Sequence, residues 1–347
     1  MTDRITLTQP DDWHLHLRDG AALAAVLPFT AAQFARGVVM PNLKPPVTSV
    51  ALAEAYRQRI VAALPAGSKF EPLMTLYLTD TTPVEEIVRA KGNDHIIGCK
   101  LYPAGATTHS NAGVTDIVRI DDVLAAMAEY DVPLLVHGEV TSDAVDVFDR
   151  ETRFIDEVLA RVIERHRALR VVFEHITTAA AVRFVRGARS GVAATITPQH
   201  LLHNRNAIFQ GGIRPHFYCL PVLKTETDRT ALLDAATSGE SRFFLGTDSA
   251  PHARHTKENA CGCAGIFSAH AALELYAEAF DSIGRLDRLE GFAAHFGADF
   301  YHLPRNSGTV SLQRTTWSPP AEYAFGSDTI VPLRAGEPIR WKLATSS

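Results

Sequence analysis

Cysteine is scarce in this sequence: the chain of 347 residues contains 4. So few cysteines cannot form the dense disulfide framework of a small secreted domain. The sequence also lacks a run of about 18 apolar residues, the length that a membrane span needs. Its N-terminal region has no basic segment followed by an apolar one. We therefore expect a cytoplasmic protein with no membrane span and no secretion signal.

An excess of positive charge is absent as well. Lys and Arg together number 34 and Asp and Glu 39, so the net charge is −5. This balance argues against a nucleic-acid partner or an anionic membrane surface. Neither G-x-G-x-x-G after the first predicted strand nor G-x-x-x-x-G-K-[ST] occurs, which weakens nucleotide-binding folds. With 46% hydrophobic and 21% charged residues, the chain has the composition of a globular protein with a large core.

Short β-like runs alternate with helix-like segments along the chain. The predicted strands are 12–18, 36–42, 72–78, 98–103, 133–138, 170–175, 192–197 and 242–248. Eight strands alternating with helices predict a single α/β domain over 1–347 with a (β/α)8 TIM barrel, and an open doubly wound sheet is the alternative. Residues 305–347 are predicted to be a C-terminal extension packed on the barrel, with "EPIRWKL" as one short further strand.

The first predicted strand, "DWHLHLR", carries two histidines and an arginine on an otherwise apolar run. Side chains on a strand alternate between its faces. The alternation therefore predicts His14, His16 and Arg18 on one face and Trp13, with the two leucines, on the other. Alone, such a strand could equally be an exposed edge strand with a polar side.

Unusual polar residues recur at the C-terminal ends of the predicted strands. They are His16, Asn42, Lys100, His137, His175 and Asp248, and His14 accompanies the first of them. The strand ends of a barrel meet on one face, where catalytic groups of this fold lie. Imidazole and carboxylate ligands without thiolates favour Zn²⁺, with Mn²⁺ or Co²⁺ as possible substitutes. The sequence therefore predicts a metal site at the barrel mouth.

Lys100 is the unusual member of this set, because an ammonium group repels metal ions. Burial and nearby cations lower the pKa of a lysine, and the neutral amine can add CO₂. The resulting carbamate is an anionic ligand with two oxygens that can bridge two metal ions. An isolated lysine would more often pair with a carboxylate, but five candidate ligands beside it favour the carbamate.

Seven segments together resemble the bacterial-type (class II) dihydroorotase family of the amidohydrolase superfamily. They are "DWHLHLRDG", "VVMPNLKPPVT", "KLYPAGATT", "PLLVHGEV", "FEHITT", "ATITPQHL" and "GTDSAPHARHTKE...CGCAG", in order along the chain. The resemblance implies a (β/α)8 barrel with two Zn²⁺ ions, bridged by a carboxylated lysine and a hydroxide. It implies the reversible interconversion of L-dihydroorotate and N-carbamoyl-L-aspartate in pyrimidine synthesis, by a cytoplasmic homodimer.

The resemblance also implies roles for individual residues. His14, His16 and Asp248 would bind one zinc ion, His137 and His175 the other, and Lys100 would bridge them as a carbamate. Asp248 would also move the proton when the hydroxide attacks the ring amide carbonyl. The substrate would be contacted by Arg18, Asn42 and His252, by the backbone of Leu220 and Ala264, by His16 and His137, and by Thr107 and Thr108 of a mobile lid, "GATTHSNAG".

Two other functions stay open at this point. A hydantoinase or allantoinase would share the metal site, although a clamp for the dihydroorotate carboxylate would be useless to it. An inactive assembly subunit is the other alternative, but such a protein should have lost metal ligands. Cys261 and Cys263 could suggest a separate, structural zinc site with thiolate ligands near His252 and His255, for which C-x-C alone is a weak signal. Glu139 and Glu174 could orient the ligand histidines, although strand alternation predicts that Glu174 points outward.

Overall fold

Eight parallel strands lie at the centre of the chain, in a computed structural model that describes residues 3–260 and 262–344. Strand β1 (Arg4–Thr8) precedes them and lies outside their sheet. The eight are β2 Asp11–Leu15, β3 Arg36–Val39, β4 Glu71–Tyr77, β5 Ile96–Leu101, β6 Leu134–Val136, β7 Val171–Phe173, β8 Val192–Ile196 and β9 Phe243–Leu245. Each pairs with its neighbours in chain order. All eight predicted strands are confirmed, each with shorter or shifted bounds.

The sheet closes between its first and last strands. Leu15 and Ser249 form a parallel bridge, and the amide of Asp248 donates to the carbonyl of His14 over 2.9 Å. The buried carboxylate of Asp12 reinforces the closure by accepting from the amide and hydroxyl of Thr247, at 2.9 and 2.6 Å. The predicted (β/α)8 barrel is therefore confirmed, and the open doubly wound sheet is excluded.

Helices connect successive barrel strands and cover the outside of the sheet. They are α1 Gly20–Ala31, α2 Val50–Ala62, α3 Val84–Lys91, α4 Asp121–Glu129, α5 Arg150–Phe154, α6 Ala160–Arg165, α7 Ala179–Gly187, α8 Pro198–Leu202, α9 Glu226–Thr237, α10 Arg254–Lys257, α11 Ala272–Asp281 and α12 Phe296–Phe300. A π-helical segment, Ile155–Leu159, makes α5 and α6 continuous. Over 3–260 and 262–344, no helix is both long enough and apolar enough to cross a bilayer.

One side chain from every barrel strand packs in the lower interior of the barrel. These are Trp13, Val38, Leu73, Ile97, Leu135, Val172, Ala193 and Phe244. Helix α12 covers them from below, where Gly297 lies against the Trp13 indole so closely that a Cβ would come within 2.0 Å of Nε1. This apolar layer fills the bottom of the barrel, so polar residues of the interior are confined to its mouth.

Strand β2 departs from the alternation that the sequence predicts. Asp12 pairs with Gly37 and Leu15 pairs with Val39, so β2 has one more residue than β3 between these two pairs. This bulge lets two successive side chains face the interior: Trp13 lies in the apolar layer, and His14 lies at the mouth beside Asp248. The prediction that Trp13 faces away from His14 is therefore wrong.

The C-terminal segment is more structured than the predicted extended tail. Strand β10 (Thr309–Trp317) pairs antiparallel with β1 on one side and with β13 (Ile339–Leu343) on the other. A hairpin of β11 (Tyr323–Phe325) and β12 (Asp328–Ile330) lies between them in the chain. Asp281 of α11 accepts two hydrogen bonds from Arg314, at 2.6 and 3.0 Å. The sequence predicts β13 but neither β10 nor the participation of β1.

Candidate metal centre

The C-terminal ends of the barrel strands open into one cavity. It is lined by His14, His16, Arg18, Asn42, Tyr102, Thr107, Thr108, His137, His175, Leu220, Asp248, Ala250, Ala264 and Gly265. Of the site residues that the sequence predicts, only Lys100 and His252 do not line it. Both lie directly behind the lining, because the Lys100 ammonium is 4.9 Å from the centre of the Tyr102 ring and His252 contacts Arg18. The predicted site residues are thus brought together.

The first group of candidate ligands comes from β2 and from the residues that follow β9. Oδ1 of Asp248 lies 3.3 Å from Nε2 of His14 and 3.1 Å from Nε2 of His16. All three side chains are buried. The other ring nitrogen of His16, Nδ1, is 2.8 Å from Oδ1 of Asn42. Three ligand atoms therefore converge, and the imidazole of His16 is held in orientation by an amide.

The second group lies across the barrel mouth. The rings of His137 and His175 have their centres 4.9 Å apart, and the His175 ring is 5.0 Å from that of His14. Nε2 of His137 is 2.9 Å from Glu139 Oε2, so Glu139 orients that ring as the sequence analysis anticipates. Nδ1 of His175 is buried without a hydrogen-bond partner in the described chain. One imidazole nitrogen of this second group thus remains available to a ligand.

Backbone conformation determines how His175 and Asp248 reach the cavity. Strands β7 and β9 end at Phe173 and Leu245, and His175 and Asp248 have φ angles of +42° and +44°. Such left-handed conformations are uncommon for residues other than glycine and are often associated with functional sites. Strand alternation ends before these positions, so it could not by itself predict which way their side chains point.

Glu174 contradicts the alternation argument most directly. Its side chain faces the barrel interior and is fully buried, where it hydrogen-bonds with the Lys100 ammonium. Its other oxygen, Oε1, lies 3.0 Å from Nδ1 of His14. The prediction that Glu174 points outward is therefore wrong. Because Val172 faces the interior and not the helices, a correct assignment of the strand's faces would have placed Glu174 inside.

Burial and neighbouring charges shift the pKa values of these groups strongly. Burial lowers the pKa of His16 to about 4 and that of His175 well below its usual value, so both imidazoles are neutral and can donate a lone pair. Burial likewise lowers the pKa of the Lys100 ammonium, against the opposing effect of Glu174. Although burial opposes it, the His14 imidazole helps to hold the pKa of Asp248 well below its usual range.

These residues fit a divalent metal centre. Four imidazoles and a carboxylate, with no thiolate among the groups that converge here, are a donor set for Zn²⁺ or a similar ion. In the described chain, the ligand atoms of His14, His16 and Asp248 lie within 4.8 Å of one another, and so do those of His14, Glu174 and His175. The uncommitted nitrogen of His175 supports the same interpretation.

Arg18 and His252 form a cationic wall beside the ligand groups. The Arg18 guanidinium donates through Nε to the carbonyl of Pro251 over 2.9 Å, and one of its terminal nitrogens lies 3.0 Å from Nε2 of His252. Burial and the Arg18 charge lower the pKa of His252, so its imidazole is neutral. Two contacts thus hold the guanidinium fork in place, and a planar fork suits a carboxylate.

The predicted lid lies over this wall. The Thr108 hydroxyl donates to the carbonyl of Ala264 over 3.3 Å, and Asn42 donates to the carbonyl of Thr108 over 3.1 Å. Gly105 has a φ of +81°, and a Cβ at this position would meet no atom within 4 Å, so the segment begins at a conformation that favours glycine. Two further hydrogen bonds of 3.2 and 3.3 Å join His109 to neighbouring segments, so single hydrogen bonds hold this segment over the cavity at several points.

The cysteines of the C-x-C segment and the histidines near it do not join the centre. Cys261 lies outside the described residues, and Cys263 is a free thiol. His255 pairs with Asp328 at the surface, and His216 lies 2.8 Å from Glu258. We find no thiolate zinc site among the described residues of this loop.

Comparisons with known proteins agree with this arrangement. The Amidohydrolase family matches residues 11–312. A dihydroorotase of Cupriavidus pinatubonensis is 65% identical over 342 residues, which cover 99% of both chains. Two solved structures each cover 99% of this chain and of their own, with a TM-score of 0.91: a dihydroorotase of Campylobacter jejuni at 35% identity, and a dihydroorotase of Saccharomyces cerevisiae in complex with 5-fluoroorotic acid at 30% identity.

Proposed function

Since this chain belongs to the dihydroorotases of the amidohydrolase family, we propose how its residues perform the reversible cyclisation of N-carbamoyl-L-aspartate to L-dihydroorotate. The observation that carries the proposal is the convergence of two imidazoles on the Asp248 carboxylate, next to a cationic wall at the same cavity. A cyclic-amide hydrolase needs the first feature to activate water, and a substrate with a carboxylate needs the second.

The residues suit two zinc ions. His14, His16 and Asp248 would hold one ion, and His137 with His175 would hold the other. Lys100 would bridge them as a carbamate, formed when its neutral amine adds CO₂ and releases a proton, and it would leave Glu174 to do so. When bound, a metal pair supplies an acidified water and polarises the amide carbonyl.

Asp248 would act as the proton shuttle. Its carboxylate lies beside both imidazoles of the first group, and it is ionised because its pKa is low, so an oxygen is free of a proton when the reaction begins. In hydrolysis it takes the proton of the attacking water and returns it to the ring nitrogen that leaves. In synthesis it accepts the ureido proton as the ureido nitrogen attacks the side-chain carboxyl carbon, and it returns that proton to the carboxyl oxygen, which leaves as hydroxide.

The substrate carboxylate would lie against Arg18, Asn42 and His252. The guanidinium is already held by Pro251 and His252, so little side-chain entropy is lost on binding. The backbone of Leu220 and Ala264 would contact the ring and carboxylate, and His16 and His137 would lie beside the reacting carbonyl. Closure of the lid would bring the hydroxyls of Thr107 and Thr108 to the substrate and exclude water.

An assay on purified protein tests this proposal. L-dihydroorotate is compared with dihydrouracil and hydantoin, which lack the carboxylate, and the metal content is measured on the same sample. We expect turnover of L-dihydroorotate alone, with about two zinc ions per chain. Preferential turnover of hydantoin would favour the hydantoinase alternative, and absence of turnover in a metal-loaded sample would favour an inactive subunit. Neither alternative is favoured by the full-length relatives.

We also propose a cytoplasmic homodimer. The family resemblance supports the dimer, and the free thiols of Cys99, Cys219 and Cys263 suit a reducing compartment. Light scattering on the purified protein measures its mass, and a mass near that of one chain would contradict the dimer.

A further inference from the structure

Two separate loops supply the backbone that lines one side of the cavity. Leu220 lies on the first loop, and Ala264 and Gly265 lie on the second. The amide of Gly265 donates to the carbonyl of Tyr218 over 3.0 Å, which is one direct hydrogen bond between the two loops. Neither lining segment belongs to a barrel strand. The second loop is tied to the end of the sheet by a bridge between Ile266 and Ser249, so the spacing of the first loop depends on contacts between the two loops.

Lys257, at the end of α10, joins the same two loops. Its ammonium donates to the carbonyl of Tyr218 over 3.1 Å on the first loop. On the second loop it donates to the carbonyls of Cys263 and Gly265, over 2.9 and 2.6 Å. The two latter residues flank Ala264 on either side. All three ammonium protons can therefore be used on backbone oxygens that adjoin the cavity lining.

Lys257 is buried, with 4% of its surface exposed. Burial lowers the pKa of its ammonium to about 8, and the groups that influence it are Cys219, Cys263 and Arg18, with no carboxylate among them. Burying an ammonium group without a counter-ion is costly. Three carbonyl acceptors offset part of that cost, and the remaining positive charge lies behind a cavity that would receive an anionic substrate.

The second loop has little room to move independently. Gly265 has a φ of +149°, and a Cβ at this position would come within 2.6 Å of the Ala250 carbonyl and 2.7 Å of His252 Cδ2. The loop therefore packs directly against the segment that carries His252, which in turn contacts Arg18. A displacement of the loop would therefore shift the cationic wall of Arg18 and His252 as well as Ala264.

We propose that Lys257 is a positioning residue for substrate binding: its ammonium ties the Leu220 loop to the Ala264 loop and so sets the cavity wall against which the ring and carboxylate rest. The inference rests on the proposed function, because that function assigns these backbone groups to the substrate. Lys257 itself does not line the cavity, and its three donors are directed at backbone carbonyls.

The substitution Lys257→Met tests this inference, since it keeps the length of the stem and removes the three donors. The dissociation constant of 5-fluoroorotate is measured by calorimetry, together with KM and kcat for L-dihydroorotate, metal content and the midpoint of thermal unfolding. We expect the dissociation constant and KM to rise at least about tenfold, because displaced loops misplace the backbone groups that contact the substrate, while kcat falls less and metal content is unchanged. Lys342→Met, which removes an exposed lysine of β13, is the control and should leave both values within about twofold.

Three outcomes distinguish the possibilities. If folded Lys257→Met binds 5-fluoroorotate as the unaltered protein does, the positioning role is wrong. If Lys257→Met does not fold, Lys257→Gln, which keeps two N–H donors on a shorter stem, decides by the same criteria. If the unaltered protein neither binds 5-fluoroorotate nor turns over L-dihydroorotate, the proposed function has failed, and the inference about Lys257 fails with it.

Discussion

Replacing Arg18 by lysine tests the carboxylate clamp without removing its charge. In the structure the guanidinium is anchored through Nε on the Pro251 carbonyl and through a terminal nitrogen on His252. A bidentate pair with the substrate would use the remaining N–H groups. A single ammonium group cannot maintain both anchors and a bidentate pair, so Arg18→Lys should lose at least one charge-assisted hydrogen bond to the substrate.

The magnitude follows from that lost bond. A hydrogen bond to a charged group contributes about 1.5–3 kcal/mol in a buried site, which corresponds to a decrease of about 10- to 150-fold in kcat/KM. The carboxylate does not change during the reaction, so ground state and transition state should lose the interaction alike. We therefore expect KM to rise more than kcat falls.

The assay measures steady-state hydrolysis of L-dihydroorotate and the zinc content of the same preparation. Arg305→Lys is a matched control, because Arg305 is a half-exposed arginine that pairs with Asp299 of α12, at the opposite end of the barrel from the cavity. The control should keep kcat/KM within about twofold. Loss of metal in Arg18→Lys would show that Arg18 supports the metal centre instead, and an unchanged KM would remove it from the carboxylate clamp.

Four further predictions follow from the site and from the core. Asp248→Asn cannot accept a proton, so kcat should fall by at least about 100-fold while N-carbamoyl-L-aspartate still binds in calorimetry; wild-type turnover would rule out the shuttle. Lys100→Ala should lower metal occupancy and activity together, and added formate or acetate should restore part of both. Two metal ions per chain and full activity without added formate or acetate would contradict the carbamate. Thr107→Val and Thr108→Val should each lower kcat while the metal content stays unchanged. The fold-decrease in kcat of the double variant should be smaller than the product of the two single decreases. An unchanged kcat in the double variant would make the segment a passive loop. Burial raises the pKa of Glu274 from 4.5 to about 7. The folded state therefore loses stability relative to the unfolded state as the pH rises through this range, and the loss is complete above it. Glu274→Gln should therefore gain about 2–3 kcal/mol of unfolding free energy relative to wild type between pH 5 and pH 8 in denaturant titrations, and a constant difference would contradict the shift.

Local pattern was sufficient for the barrel and for the set of residues at its mouth. Each strand is a short apolar run, and the polar residue that ends it can be read directly, as with Lys100 after "GC" and His137 after "LLV". Because parallel strands of a barrel end on the same face, order along the chain was enough to bring these residues together. The family resemblance rests on the same segments, and the comparisons confirm it.

Side-chain direction at the strand ends was decided by the tertiary structure. The bulge in β2 turns both Trp13 and His14 inward, and the left-handed backbone at His175 and Asp248 aims their side chains into the cavity. A strict period of two holds only while the chain stays in regular β conformation. Glu174 shares the interior face of Val172, where it contacts both Lys100 and His14, and the irregular backbone at His175 brings the next side chain to the same side.

Contacts between distant segments were likewise beyond local pattern. Strand β1 pairs with β10 across about 300 residues of chain, and Lys257 reaches Tyr218 on another loop. Nothing in the residues near Lys257 indicates which carbonyls its ammonium will meet, because those acceptors are backbone groups that every residue carries. The sequence by itself determined which chemical groups the barrel mouth contains. The packing of loops against one another determined how those groups are oriented and what holds them there.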